Sequence, residues 1–494
     1  MLTRRSLLLS AAASPAAIAA PAQPGRFLGV TVMPEYIQSE GIDGVLRSLQ
    51  RMGATAVCTS PYVMEPASEK TGSREPPDDA GAGGVRLLDR PLWGMRELFV
   101  RTAPSFEPDS RVYQGLRYQP VAPGDLTRGS GALVRDFIRT AKSSGLKLYL
   151  QFQAAIPPGY RVQFGGAVAE DQPRLPDGRV PVRRVDRNGS LASEHIRRYS
   201  EALITDLCRA YPEIDGIRPD WPEYPPYLPD SLFLDFSEPA RQAAARLGLN
   251  AESLRQDALA EWQRLRGSLT NRDLELILED DGGRFGLARL FAGCPGFAGL
   301  CRLKAMLVDE LLGGFRAALT RAGGREKELV PNAFPPPFTS VSGFDYRRAA
   351  AHSNAISVKL YTMHWPMMLR FYGDELRKTN PGLSSELLAA ALVRLMDISE
   401  RPLGAVERYS YPEPDVPHPV SPQALERKIR QAQTAAGAGV PVIALAHGYG
   451  PPDDFQARLR VAWSASGGRV WINRYGYLSD RKMDLVRATC SPAA

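Results

Sequence analysis

Two carboxylates three positions apart, Asp220 and Glu223, stand in the stretch Ile214-Asp215-Gly216-Ile217-Arg218-Pro219-Asp220-Trp221-Pro222-Glu223-Tyr224-Pro225-Pro226-Tyr227. Acids this close, interleaved with four prolines and three aromatics, are suited to general acid–base work beside flat ring faces. Pro219 argues against a central ladder position, so a short apolar strand ends as the acids arrive. Trp221, Tyr224 and Tyr227 would desolvate Glu223 and raise its pKa, which fits a general acid, with Asp220 as the second carboxylate. A solvated, proline-rich turn would have the same composition, and the rest of the chain has to decide between the two.

The elements that must position these acids follow an alternating pattern. Strand-like runs fall at 27–33, 55–60, 147–153, 216–221, 328–334, 355–361, 440–447 and 468–475, the last of them before a helix at 480–488. Helical patterns lie between them, at 42–52 and 131–143 and in an amphipathic segment that Ser193 can cap. In that segment Ile196, Tyr199, Leu203, Ile204 and Leu207 share one face. Further helical patterns fall at 238–247, 251–265, 303–319 and 383–397. Eight strands alternating with helices predict an α/β fold, a closed (β/α)8 TIM barrel over 26–490. Such a barrel needs about 250 residues, so the excess in this 494-residue chain forms long insertions after strands two, four and six, at about 61–130, 228–300 and 366–438. A doubly wound nucleotide-binding sheet is the alternative, but no G-x-G-x-x-G follows the first strand and no G-x-x-x-x-G-K-[ST] occurs.

In such barrels the chemistry gathers where strands end. Those ends here collect Glu35, Gln151, Gln153, Asp220, Glu223, Asn332, Lys359, Tyr361, His364, Trp365, His447, Tyr449, Asn473, Arg474 and Tyr475. Segments 27–60, 214–227, 342–366 and 440–477 resemble the glycoside-hydrolase-like (β/α)8 barrels found among exported bacterial proteins. The run DGIRPDWPEY is similar to their strand-four segments, where an acid after the strand serves as a catalytic carboxylate. The resemblance implies cleavage or processing of a carbohydrate or glycoconjugate by paired carboxylates at the rim, with no cofactor and no metal. Glu223 would be the acid and Asp220 its partner, with Glu35 and Asp345 as rivals for the second place. Gln151, Gln153, Lys359, His364, His447 and Arg474 would bind substrate or orient an acid, and Trp221, Tyr224, Tyr361, Trp365 and Tyr475 would offer stacking surface. The chain departs from the best-known sugar-cleaving barrels in two places: no Asn-Glu pair ends strand four, and His447 stands at the end of strand seven. A barrel that binds carbohydrate without cleaving it therefore stays open. A metal-dependent barrel hydrolase is a third possibility, although no H-x-H or H-E-x-x-H occurs.

Residues 1–22 resemble a twin-arginine export signal, with Arg4-Arg5 ahead of a short apolar run and small residues after it. An exported, periplasmic or secreted protein is expected, with no integral membrane segment once the signal is removed. Arg4 and Arg5 are the only charges of that segment, so its loss lowers the net charge from +7 to +5, mild for such a length. No basic stripe with interleaved aromatics occurs, and nucleic acid is not an expected partner. Five cysteines without a C-x-x-C exclude a disulfide framework, although Cys294 and Cys301 could pair. Glu279-Asp280-Asp281 reads as a solvated helix end. Oligomeric state, sugar and linkage are not set by the sequence.

Overall fold

Each of the eight strand-like runs of the sequence contains a parallel strand. The computed structural model describes residues 25–77, 86–161, 164–279 and 294–490. The segment 1–22 read as an export signal lies outside the described residues, as do Asp280 and Asp281. The strands are β1 (Phe27–Thr31), β2 (Ala56–Thr59), β3 (Lys147–Gln153), β4 (Gly216–Asp220), β5 (Glu328–Leu329, then Asn332–Ala333), β6 (Ile356–Leu360), β7 (Val442–His447) and β8 (Arg469–Asn473). Each pairs in parallel with the next, and β8 returns to β1 with Phe27 opposite Arg469 and Val30 opposite Ile472. The ring is closed, a (β/α)8 barrel. The open doubly wound sheet is thereby excluded. Pro331 interrupts β5, because a proline has no N–H to give the ladder.

Strand periodicity divides the core in two. Leu148, Leu150, Ile217, Ile356, Val358, Val442, Ala444, Val470 and Ile472 face the helices. Their neighbours Ala56, Cys58, Tyr149, Val330, Ile443, Leu445 and Trp471 fill the barrel. Trp471 fits only because Gly29 stands opposite: a Cβ there would lie 2.1 Å from the indole. The Arg218 guanidinium packs 3.9 Å over the same ring. It donates to Asn332 Oδ1 at 2.7 Å and Ser357 Oγ at 3.2 Å, so this buried cation is hydrogen-bonded inside the barrel.

The helices form the outer ring. Glu194–Ala210 is capped by Ser193, whose Oγ accepts from Ile196 N at 3.2 Å, and it buries the face expected of it. It packs against Pro295–Gly323, which starts well before the helical run expected at 303–319. Cys294 and Cys301 are both free. They stand two turns apart along one helix axis, roughly 10 Å, too far for a disulfide. The first insertion also differs from the expected polar loop. Tyr62–Ala67, Ser73–Glu75 and Leu98–Pro104 form an antiparallel sheet with the last of these in the middle. The insertion after β4 holds Glu238–Arg246, Ala251–Leu265 and Asn271–Glu279. After β6 the chain turns at once into a helix, His364–Thr379, so His364 and Trp365 lie on its first turn and not at a strand end. No described helix is long and apolar enough to cross a membrane.

Candidate active site

The inward parity of the strands carries straight up to the mouth. In β3, Tyr149 faces the interior, so Gln151 and Gln153 do too; in β4, Gly216 and Arg218 are followed by Asp220. Lys359 and Tyr361 continue β6, His447 ends β7 and Asn473 ends β8 by the same rule. All of these but Gly216, Arg218, Tyr149 and Lys359 line a cavity of about 140 Å³. It is lined by Gln151, Gln153, Asp220, Trp221, Tyr361, His364, His447, Asn473 and Arg474, and by Met33, Pro77, Arg86, Arg161 and Tyr477. Larger hollows of about 710 and 800 Å³ lie among outer helices and loops and contain no strand-end residue.

Asp220 is the carboxylate of this lining. Its Oδ1 lies 2.5 Å from Lys359 Nζ, a close ion pair rather than a well-directed hydrogen bond. Asn332 Nδ2 donates to the same oxygen at 3.4 Å and to Gln151 Oε1 at 3.2 Å. Lys359 is buried beneath the floor, and burial lowers its pKa although Asp220 and Glu223 pull the other way. The chain leaves β4 through Trp221 at φ +50°, in the left-handed region a bulky residue rarely adopts. Strain of this kind clusters at functional sites. Three buried polar atoms of the lining residues, Gln153 Oε1, Trp221 Nε1 and Arg474 Nε, have no hydrogen-bond partner.

On the far side, His447 Nδ1 accepts from Tyr449 N at 3.1 Å, which leaves Nε2 to carry the proton of the neutral ring. Tyr361 sets its edge against His447 (5.0 Å) and His364 (5.4 Å), and its hydroxyl accepts from Asn473 Nδ2 at 2.8 Å. His364 Nδ1 lies 3.1 Å from the Tyr227 hydroxyl.

Seven of the residues expected at the site do not line the cavity. Glu223 is fully buried in the wall, where its carboxylate accepts from Phe334 N at 2.7 Å and from the Ser342 hydroxyl. Burial pushes its pKa up to about 7, against the pull of Ser342, Phe334 N–H and Lys359. The structure therefore separates the two acids of the strand-four segment: one meets the cavity and the other ties two loops together. Lys359 is buried and pairs with Asp220. Tyr224 is buried, its hydroxyl donating to Asp235 at 3.1 Å and accepting from Leu191 N. Trp365 is core, against Phe338 and the Lys428 ammonium. Tyr475 turns away to donate to Glu40 at 2.7 Å. Asp345 caps the helix Tyr346–Ala350, accepting from Arg347 N and Arg348 N.

Glu35 is the last of the seven, and it belongs to a network that sequence patterns missed. Arg161 Nη1 donates to Glu35 Oε1 at 2.9 Å and to the Tyr62 hydroxyl at 2.7 Å, while Tyr62 donates to Glu35 Oε2 at 3.1 Å. Arg474 Nη2 reaches the same Glu35 oxygen at 3.1 Å, and both arginines bond Glu75. Burial would raise the Glu35 pKa, but the fields of Arg161 and Arg474 overcome it and hold the carboxyl low. Four alternating charges thus build one wall of the mouth. Glu75 ends a short insertion strand and Arg161 lies in a loop 86 residues on, and no periodicity or motif links them. Met33 could have been found, since it continues the inward parity of β1.

Among the described residues no group of three or more His, Cys, Asp or Glu side chains is arranged to hold a metal ion.

No protein-family model matches the chain, and no curated protein matches it. Solved structures similar to it include the glycoside hydrolase domain of PgaB (BpsB) from Bordetella bronchiseptica, at 12% identity over 95% of this chain and 100% of that one, with a TM-score of 0.48. A β-galactosidase from the psychrophilic Marinomonas ef1 is 12% identical over 91% of this chain and 54% of that one (TM-score 0.47). The catalytic domain of a β-amylase from Paenibacillus polymyxa is 11% identical over 94% and 99% (TM-score 0.46). The barrel itself stands on the strand pairing described above.

Proposed function

We propose that this chain is a glycoside-hydrolase-like enzyme that takes a carbohydrate into the mouth of the barrel, with Asp220 as the carboxylate that meets it. One observation carries this: residues from β3, β4, β6, β7 and β8, remote in sequence, converge on one small cavity that combines a carboxylate, amides, imidazoles and aromatic faces. Amides and imidazoles satisfy sugar hydroxyls, and Trp221, Tyr361 and Tyr477 offer surface to the ring. Asp220 would stabilise positive charge developing at the anomeric carbon, as base or nucleophile. Glu223, on this reading, is a positioning residue. The export reading of residues 1–22 places the activity outside the cytoplasm.

A two-carboxylate mechanism needs a second acid across the bond, and among the described residues that line the cavity Asp220 is the one carboxylate. That observation favours, as the second reading, a barrel that binds carbohydrate without turnover. Incubation of the purified protein with a glycan panel separates the two. Release of reducing ends by the wild type, abolished in Asp220→Asn, supports the enzyme. Saturable binding without release supports the binding protein.

A further inference from the structure

We propose that the sugar this cavity takes is acidic, and that Arg474 holds its anionic substituent, a carboxylate or a sulfate ester, opposite Asp220. The proposal rests on the carbohydrate reading above and names the class of sugar.

Among the described residues three of the side chains lining the cavity are arginines, Arg86, Arg161 and Arg474, against the one carboxylate of Asp220. Arg161 and Arg474 are balanced in charge by Glu35 and Glu75, but the balance is not symmetric in space. Both glutamates are fully buried and neither lines the cavity, whereas Arg161 and Arg474 both do. A ligand therefore meets the positive side of the network, with the negative side turned into the protein.

Arg474 has donors to spare. Both of its bonds to the glutamates come from Nη2, and its Nε is buried without a hydrogen-bond partner although the residue is about nine-tenths buried. An unpartnered donor on a buried cation is costly. With both Nη2 hydrogens on the glutamates, the N–H groups of Nη1 are left for an oxygen of a carboxylate or sulfate, a charge-assisted bond. Glu35 and Glu75 hold the group in place before any ligand arrives.

The position agrees with the chemistry. Arg474 follows β8 and Asp220 ends β4, four strands apart in a ring of eight, so the two stand on opposite sides of the mouth. The cavity, at about 140 Å³, is on the scale of one six-membered ring. A single ring would span it, with its acidic group on the arginine side and its other face toward Asp220, away from like charge.

The test is calorimetric titration of the wild-type protein with matched oligosaccharides: a uronic-acid oligomer, its neutral counterpart and a sulfated version of the neutral one. The proposal expects an acidic member to bind at least about tenfold more tightly than the neutral one, equivalent to about 1.4 kcal/mol. Preference for the uronate identifies a carboxylate as the group, and preference for the sulfated oligomer a sulfate ester. Arg474→Lys keeps the charge facing Glu35 and Glu75 but loses Nη1, the nitrogen left for the ligand, so the ratio of acidic to neutral affinity should collapse toward one. A wild-type protein that binds the neutral member as tightly overturns the proposal and leaves the carbohydrate reading standing. Failure of every member to bind overturns both. Should Arg474→Lys not fold, the wild-type ratio still decides.

Discussion

Asp220 and Glu223 stand three positions apart among the same prolines and aromatics, yet they end in opposite physical settings. Asp220 is the last residue of β4, and the period of the strand aims it into the mouth beside Lys359. Glu223 lies beyond the strand, past the left-handed turn at Trp221, and is sealed in the wall with Ser342 and Phe334 N–H. Their composition and neighbours are shared. What differs is whether regular backbone still dictates direction. Inside a strand, parity decides which way a carboxylate points; outside it, loop geometry does.

The strongest attack on that contrast is Asp220→Asn. Loss of the charge that meets the substrate should lower kcat by about 10²–10⁴-fold, with the circular dichroism of the barrel retained; Lys359, deprived of its partner, can shed its proton. Near-normal turnover would remove Asp220 from the chemistry. Arg161→Ala comes next. It leaves Glu35 and Glu75 buried with one cation fewer, and should cost about 3–5 kcal/mol in urea unfolding. A loss below about 1 kcal/mol would mean that the charged wall is dispensable.

Glu223→Gln sharpens the comparison through pH. The Glu223 pKa in the folded chain, about 7, lies above the ordinary 4.5. The folded state therefore holds this proton more tightly than the unfolded state does. The stability it confers is complete below pH 4.5 and is lost as pH rises through about 7. The total is about 3 kcal/mol at 1.36 kcal/mol per pH unit. The glutamine variant should thus gain on the wild type in urea midpoint between pH 5 and about pH 8, with turnover retained. An inactive Glu223→Gln beside an active Asp220→Asn would reverse the roles of the two acids. The smallest effect is expected from Gly29→Ala, which crowds Trp471 and, through it, the layer of Arg218 beneath Asp220. Overpacking of this kind costs about 1–3 kcal/mol, read as a lower thermal midpoint with reduced kcat.

The barrel was legible because its signal is periodic and repeated. Eight apolar runs alternating with helices leave few topologies, and β3, β4, β7 and β8 fall where their residues say. The site was legible in so far as it continues those strands: Gln151, Gln153, Asp220, Tyr361, His447 and Asn473 follow from parity alone. Trp365 and Tyr475 were misplaced because the chain had already left the strand when it reached them, turning into a helix at His364 and into a tight turn after Arg474. Glu75 and Arg161 were not legible at all. Their bond joins an insertion strand to a loop, and nothing local in either segment records it.

The pairing of β1 with β8 has a practical corollary. The mouth exists only once segments more than 400 residues apart have zipped together, so the slowest, longest loop closure must be complete before Asp220 and Arg474 can face each other. Partly assembled chains, however rich in helix and sheet, have no floor on which a sugar could rest. Ligand uptake is therefore a stricter gauge of correct assembly than circular dichroism: it counts only molecules whose ring has shut.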